Sequence, residues 1–311
     1  MEKSVSKLSD RKIKNIIKEN VTGYLLILPL LIGLTIFTIY PLLVSLYNSF
    51  FLDYDGFSPY SEFKFGFGNY IKAFSGYESK VFAKSLGITF SYTAIMVPLG
   101  LVVSFLLALF LNQNVKGMRV FRLIYYIPCL IPGIVCGMVY RAIFEPSYGI
   151  MNTFFKAMGL PKSKFFDSNN YTAVLTYMFM TMFGVGGSML MWIAGLRSIS
   201  PSYYEAAKLE GCGYWRTIAR ITVPMMGPYV FYQLITNVIG TLQICDMAYM
   251  ISSSGGVNNN LLFYGLYIYK QFAGNNFGYA SALAYLLFII IACLSAILFR
   301  FNKFVYYEGE A

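Results

Sequence analysis

The sequence has little charge and no histidine. Of its 311 residues only 12% are charged and 57% are hydrophobic, whereas soluble domains carry roughly 25% charged residues. No glycine-rich loop of the form G-x-x-x-x-G-K-[ST], which cradles nucleotide phosphates, occurs anywhere in the sequence. The low charge excludes an ordinary soluble domain and predicts an integral membrane protein. The missing loop predicts that the chain does not hydrolyse ATP by itself.

Cysteine and histidine chemistry is also sparse. The five cysteines have no C-x-x-C spacing and lie in or beside apolar segments: Cys129, Cys136, Cys212, Cys245 and Cys293. With no histidine, neither a disulfide framework nor a His-based metal site is supported. An intramembrane enzyme would need paired carboxylates, a Ser/His or Ser/Lys arrangement or metal ligands at depth, and none is found. We therefore expect no metal and no catalytic residue.

Long charge-free runs dominate the rest of the chain. Six of them reach the length of about 18 residues that a transmembrane helix requires. We expect the spans at about 21–51, 86–111, 123–144, 171–196, 225–249 and 279–299. A seventh run, 247–269, is interrupted by SSSGGVNNN and is interpreted as a loop between spans. The predicted fold class is an all-α integral membrane protein with six transmembrane helices.

The net charge of +10 is explained by topology better than by nucleic-acid binding. With the N-terminus inside, the inner segments hold fifteen Lys and Arg and the outer segments eight, with Arg141 near an outer helix end. This asymmetry follows the positive-inside rule and places both termini in the cytoplasm. The basic N-terminus precedes an apolar run that is too long for a secretory signal and lacks a cleavage site, so we expect it to be retained.

The chain divides most simply into one membrane domain with a short tail at each end. Residues 1–20 form a basic cytoplasmic tail, 21–84 the first transmembrane helix and an outer segment, and 301–311 a second cytoplasmic tail. Residues 85–300 form a core of five helices, with a cytoplasmic loop at about 197–224. The close pair Pro128 and Pro132 in the third span predicts a bent helix.

One polar stretch stands out, EAAKLEGCGYWRTIARITVP at 205–224. Ser202 and Glu205 have the S-x-x-E spacing of a capping box, which predicts that Ser202 caps a helix. Gly211 stands where a helix would end in a turn. The pattern predicts a helix-turn-helix that projects from the membrane toward a partner. A membrane-surface connector, with Trp215 at headgroup depth, is the alternative.

The spacing within this stretch carries a resemblance. The pattern is E-A-A, three residues, G, nine residues, then I-x-hydrophobic-P, and it is met by Glu205, Ala206, Ala207, Gly211, Ile221, Val223 and Pro224. It resembles the cytoplasmic loop of the permease subunits of binding-protein-dependent ABC importers. FRLIYYIPCLIP, IFEPSYGIMN and WIAGLRSISPSYYEAA are similar to the maltose/glycerol-phosphate-type sugar permeases of the ABC transmembrane type-1 family.

The chain departs from the family pattern at four positions. Glu210 stands where Asp is usual, Cys212 where Ala is usual and Val223 where Leu is usual. These three changes preserve the character of the residue. Val257 replaces the proline that usually follows Gly-Gly, which affects only the loop between the fifth and sixth spans.

The resemblance implies a role in ATP-driven import of a sugar or oligosaccharide across a prokaryotic plasma membrane. It implies that the loop docks on a cytoplasmic ATPase through Glu205, Ala206, Ala207, Leu209, Gly211, Ile221 and Pro224. The implied partners are two ATPase subunits that use ATP, a second homologous permease subunit and an extracellular solute-binding protein. No cofactor is expected in this chain.

Polar groups inside spans suggest where a solute would pass, because they are costly in hydrocarbon and tend to face a cavity or a neighbouring helix. The candidates are Gly187, Ser188, Asn237, Thr241, Gln243 and Asp246. Amides, hydroxyls and a carboxylate suit sugar hydroxyls. The alternative is that these groups only join helices to one another.

Other functions remain open from sequence. An ion-gradient-driven secondary carrier would be self-sufficient, but it would want an ionisable relay, and Asp246 is the only acid expected within a span. An ABC permease for a non-sugar solute such as a glycerol phosphate fits the same six spans. The sequence does not choose between these solutes.

Overall fold

The computed structural model describes residues 23–113, 115–168 and 172–300. Within these residues the regular structure is helical, and the one β-type pairing is an isolated bridge between Phe51 and Phe65. The predicted tails at 1–20 and 301–311 lie outside the described residues.

The described parts of the chain contain fifteen α-helices, labelled α1 to α15 in chain order. They are α1 Gly23–Ser49, α2 Gly68–Ala73, α3 Gly76–Leu111, α4 Met118–Leu130, α5 Gly133–Ile143, α6 Ile150–Ala157, α7 Thr172–Thr181, α8 Gly186–Ser198, α9 Pro201–Leu209, α10 Tyr214–Thr217, α11 Val223–Met225, α12 Gly227–Leu242, α13 Asp246–Ile251, α14 Tyr264–Ala273 and α15 Phe277–Arg300. A π-helical turn, Ile218–Thr222, joins α10 to α11.

Among the described residues, four helical segments are long and apolar enough to cross a membrane: α1, α3, Gly227–Ile251 and α15. Two further pairs meet this criterion only when each bent pair is counted as one span. These are α4 with α5, bent by 96°, and Thr172–Gly184 with α8, bent by 43°. The described residues therefore contain four to six candidate spans, at the positions that the charge-free runs predict.

The bend predicted from the proline pair is confirmed and is sharper than a kink. Between α4 and α5 the chain leaves helical geometry, with ψ 127° at Ile131 and 141° at Pro132. A residue before proline is pushed out of the α region by the proline ring, and proline has no N–H to continue the ladder. The predicted third span is thus two separate helices that meet nearly at a right angle.

Most of the N-terminal part of α1 is exposed, whereas its C-terminal part is partly buried. The window of α1 that satisfies the hydropathy criterion contains no buried residue. A π-helical turn, Thr35–Ile39, ends two residues before Pro41, which cannot donate to the helical ladder. The C-terminal part of α1 contacts α15, where Tyr285 donates a hydrogen bond of 2.6 Å to the carbonyl of Leu42.

The run at 247–269 is not the simple loop that its interrupted sequence predicts. Its second half is buried, and the ring of Phe263 lies 5.3 Å from that of Tyr92 and 4.9 Å from that of Tyr177. The N–H of Tyr264 donates to the Thr89 hydroxyl at 2.8 Å. This segment and the start of α14 form part of the largest hydrophobic core, between α3, α7 and α15.

A second core lies at the other end of the bundle, between α3, α8 and the start of α12. Trp192 is buried there and donates its ring N–H to the Ser104 hydroxyl at 2.9 Å. Arg122 on α4 caps the end of α3 with two hydrogen bonds to the carbonyl of Leu111, at 3.0 and 2.7 Å. This packing holds the end of α8 in place, and α9, which contains the start of the polar stretch, begins after two further residues.

Candidate functional site

The polar stretch folds as a helix, a tight turn and a second helix, as predicted. Gly211 has φ +72°, and nothing lies within 4 Å of the place where its Cβ would be. The N–H of Cys212 bonds the carbonyl of Ala207 at 2.9 Å, and the N–H of Gly211 bonds that of Lys208 at 3.1 Å. These two bonds form a Schellman motif, in which the left-handed residue is usually glycine. Gly211 therefore ends α9 by its backbone conformation.

The predicted start of this helix is wrong. Helix α9 begins at Pro201, so Ser200 occupies the N-cap position, and neither it nor Ser202 makes a side-chain cap bond. The two serine hydroxyls lie 2.9 Å apart and bond each other. Proline is favoured at the first helical position because its fixed φ suits the helix and its missing N–H is not needed there. Pro201 thus moves the helix start ahead of the S-x-x-E pattern.

The two sides of α9 differ in what they contact. Ala207 is buried against the chain itself, together with Ile218 and Thr222, and the hydroxyl of Tyr204 lies 3.2 Å from that of Thr222. Leu209 is 90% exposed. An aliphatic side chain so exposed on a helix held firmly by its other side is typical of a contact surface.

The predicted docking residues differ in their exposure in the same way. Glu205, Ala206, Leu209 and Gly211 are exposed, Ile221 and Pro224 are half-buried, and Ala207 is buried. Glu205 forms no ion pair with any described residue. Of the two alanines, only Ala206 is open to a partner, whereas Ala207 holds α9 against its own chain.

Two of the predicted pathway residues are connected through a third that sequence analysis missed. Gln233 on α12 is only 4% exposed and donates to the carbonyl of Ser188 on α8 at 2.9 Å. Asn237, one turn further on, donates to the Gln233 side-chain oxygen at 3.3 Å and to its carbonyl at 2.7 Å. An amide within an apolar run was the signal available for Gln233, since a buried amide needs partners.

The other predicted pathway residues do not join this network. Thr241 bonds the carbonyls of Asn237 and Val238 in its own helix, at 2.8 and 3.1 Å. Gln243 and Asp246 are exposed and stand on either side of the break between α12 and α13. Of the six candidates, Gly187 and Ser188 bond across helices through their backbone, Asn237 and Thr241 bond within α12, and Gln243 and Asp246 stand at the helix break.

The start of α5, after the bend that separates it from α4, lies beside Asp246 at the start of α13. A Cβ on Gly133, the first residue of α5, would lie 3.9 Å from the Cβ of Asp246. Along the same contact a Cβ on Gly137 would lie 2.9 Å from the carbonyl oxygen of Met247. Within the part of the chain that the structure describes, the Asp246 carboxylate has no ion pair. Asp246 is therefore a carboxylate at the contact between α5 and α13, which is called the seam below.

The glycine-rich run at 184–188 contacts α4 through its backbone. The thiol of Cys129 on α4 donates to the carbonyl of Gly184 at 3.2 Å and its sulfur accepts from the N–H of Gly187 at 3.1 Å. Gly187 itself is exposed. Among the described residues no group of three His, Cys, Asp or Glu side chains is arranged to hold a metal ion.

Comparison with known proteins decides the family. Residues 98–305 match the family described as "Binding-protein-dependent transport system inner membrane component". The chain belongs to this family. It is a multi-pass inner-membrane transport subunit, as its apolar helices indicate, and the family resemblance seen in the EAA stretch is confirmed.

Relatives along the whole length agree with this assignment. The chain is 33% identical over 305 residues to the probable ABC transporter permease protein YesP of Bacillus subtilis, covering 96% of each chain. It is 29% identical to the lactose transport system permease protein LacF of Rhizobium radiobacter, covering 90% of this chain and 93% of that one. These identities support a permease and not a self-sufficient carrier or an intramembrane enzyme.

The fold is shared with a solved transporter. A chain in the crystal structure of a bacterial ABC transporter involved in the import of the acidic polysaccharide alginate superposes with a TM-score of 0.80. The match covers 95% of this chain and 100% of that chain at 19% identity. At this identity the likeness establishes the type-1 importer permease fold.

Proposed function

We propose that this protein is the transmembrane permease subunit of an ABC importer that moves a sugar or oligosaccharide into the cell. Two of the proteins that it resembles handle carbohydrates, lactose in one and alginate in the other. The single observation that carries the coupling part of the proposal is α9. It is fixed on one side by Ala207 and presents an almost fully exposed Leu209 on the other.

The proposed assembly follows from what this chain lacks. Two cytoplasmic ATPase subunits supply ATP hydrolysis, because the sequence has no phosphate-binding loop. A second homologous permease subunit completes the pathway, and an extracellular solute-binding protein delivers the solute. In this assembly the exposed Glu205, Ala206 and Leu209 dock on one ATPase, so that closure of the ATPase pair moves the permease.

The proposed topology has six spans with both termini in the cytoplasm. Each bent pair counts as one span, which raises four continuous spans to six. Arg122, Arg197 and the basic residues of the polar stretch then lie on the cytoplasmic side, where Lys and Arg are enriched. This arrangement puts α9 where an ATPase can reach it.

The proposed solute pathway runs along α8 and α12 to the break before α13. Ser188, Asn237 and Gln243 offer polar groups for sugar hydroxyls, and Gly187 and Thr241 line the same helices. Asp246 is the acid at the seam, and a carboxylate accepts hydrogen bonds from hydroxyls but repels anions. This charge favours an uncharged sugar over a glycerol phosphate.

Uptake by the reconstituted complex tests this function. The chain is assembled with the permease, ATPase and binding protein encoded beside it, and ATP-driven uptake of labelled sugars is measured. Leu209→Glu is compared with Leu160→Glu, the same change at a residue 48% exposed in the outer segment after α6. We expect Leu209→Glu to lower uptake at least tenfold and to release the ATPase, while the permease pair remains assembled.

The matched control should retain uptake. Uptake that continues without the ATPase, or that is unaffected by Leu209→Glu, would contradict coupling through α9. Uptake of a glycerol phosphate in place of every sugar tested would retain the importer and overturn the solute class.

A further inference from the structure

An exposed apolar surface lies on the short helix α2, at the end of the bundle opposite to α9. Phe67, Ile71 and Phe74 are spaced by four and three residues, so they lie on one side of the helix. They are 66%, 64% and 65% exposed, and Phe65 and Tyr77 beside them are exposed as well. These five residues are called the aromatic face below.

The opposite side of α2 is anchored firmly. Asn69 is completely buried, and its amide donates to the carbonyls of Ser49 and Phe51 at 3.0 and 2.8 Å. Its oxygen accepts from the N–H of Asp53 at 3.3 Å. The Tyr70 hydroxyl lies 2.8 Å from that of Ser49. These bonds fix the rotation of α2 about its axis, so the aromatic face is held outward and cannot turn inward.

The anchor is tied to the ends of three long helices. Ser49 ends α1, and α3 begins at Gly76, two residues beyond Phe74. At the start of α15 the N–H of Gly278 bonds the carbonyl of Tyr54 at 2.9 Å, and a Cβ on Gly278 would lie 2.3 Å from the carbonyl oxygen of Phe51. Helix α2 thus lies beside the C-terminal end of α1 and the N-terminal ends of α3 and α15.

The aromatic face is continuous with the surface of α1. The ring of Phe50, directly after α1, lies 5.8 Å from that of Phe65 and 5.3 Å from that of Phe67. The apolar window of α1 is entirely unburied by the described residues. One apolar surface therefore runs along α1, across Phe50 and onto α2.

We propose that the aromatic face is embedded in the outer leaflet, at the boundary between lipid headgroups and acyl chains. Aromatic residues favour this depth, and an amphipathic segment lies there with its apolar side about 5 to 10 Å into the boundary. Lys64 and Lys80, exposed on either side of α2, can reach lipid phosphates. Only the assignment to the outer leaflet rests on the topology given under Proposed function.

Spin labels measure this depth directly. Each label is attached to a single cysteine in a full-length variant without the five native cysteines, assembled into the whole complex in lipid vesicles. The labelled variants are Phe67→Cys, Ile71→Cys and Phe74→Cys, with Glu62→Cys as the control at an exposed polar position of the same segment. Collisions with oxygen, which concentrates in lipid, are compared with collisions with a water-soluble nickel complex.

We expect oxygen collisions to exceed nickel collisions severalfold at the three face positions, and the reverse at position 62. Adding Asn69→Ala, which removes the anchor, should reduce the contrast at the face and leave position 62 unchanged. Dominant nickel collisions at the face would overturn the proposal. So would low collisions with both reagents that rise when the second permease or the binding protein is omitted, because protein would then cover the face. The labels report membrane depth and not uptake. A negative result here would therefore not count against the proposed transport function, and a negative uptake result would not count against this placement.

Discussion

Gly186 on α8 lies against the backbone of Tyr125 on α4, so closely that a Cβ at position 186 would stand 2.0 Å from the Tyr125 carbonyl oxygen. Only a residue without a side chain allows this approach. The contact joins the first half of one bent pair to the second half of the other. At position 186 the two helices can pack this closely only because glycine has a hydrogen atom where alanine has a methyl group.

Replacing Gly186 by alanine should therefore separate α4 from α8. We expect a loss of about 1–3 kcal/mol, the usual cost of overpacking, or more, because the atom that is met is backbone and cannot rotate away. The measurement is the thermal midpoint and the yield of the assembled complex in membranes. Gly187→Ala is the control, since its Cβ would meet only the Cys129 sulfur at 4.0 Å. Equal thermal midpoints for Gly186→Ala and Gly187→Ala would contradict a close contact between Gly186 and the Tyr125 backbone.

The second close approach, between α5 and α13, predicts a similar effect at Gly137. A Cβ there would lie 2.7 Å from the Cβ of Met250 and 2.9 Å from the Met247 carbonyl oxygen. Gly137→Ala should push α5 away from α13 and reduce both the stability of the protein and its uptake activity. Gly133→Ala, whose new methyl meets its nearest neighbour at 3.9 Å, should retain both. Uptake lost in Gly133→Ala and kept in Gly137→Ala would contradict this packing.

The turn after α9 predicts a ranking of substitutions at Gly211. Because φ is +72° and the space around the residue is empty, the cost of a side chain is conformational and not steric. A left-handed conformation costs an ordinary residue about 1–2 kcal/mol, and asparagine pays less than a β-branched residue. Uptake should decrease from wild type through Gly211→Asn to Gly211→Val. Equal uptake by the two variants would show that this turn does not position α9.

The link between α8 and α12 predicts a role for Gln233. Gln233→Leu removes the donor to the Ser188 carbonyl and one of the two acceptors of the Asn237 amide. The Ser188 carbonyl then loses this partner, and one lost bond of this kind costs about 1 kcal/mol. We expect a lower thermal midpoint and reduced uptake. Thr236→Val is the control, because the Thr236 hydroxyl bonds only carbonyls of its own helix. A larger loss of stability and uptake in Thr236→Val than in Gln233→Leu would contradict this role of Gln233.

Much of the architecture was predictable because membrane helices are specified locally. A charge-free run of sufficient length must be helical, since the lipid offers no partner for backbone groups. The positions of α1, α3, α12 and α15 follow from this rule. The turn at Gly211 was predictable for a similar reason, because a left-handed residue is a requirement of the local backbone.

Other features depended on competition between local signals. Ser202 and Glu205 have the capping spacing, but Pro201 begins the helix first, and nothing in a motif ranks one signal above the other. The interrupted run before α14 was predicted as a loop because its Ser, Gly and Asn residues dominate the pattern. Its Phe263 is nevertheless central to the largest core, since burial depends on which helices close around a segment.

The sequence by itself determined that this protein is an all-helical membrane subunit, and its EAA spacing identified the family, because hydrophobic length and backbone conformation are properties of short stretches. Only the tertiary structure decided that Ala207 faces inward while Leu209 faces outward, that Gln233 joins Ser188 to Asn237, and that Asp246 stands at the seam beside Gly133. These relations join residues far apart in the chain. They arise from how helices approach one another, which hydropathy and spacing do not encode.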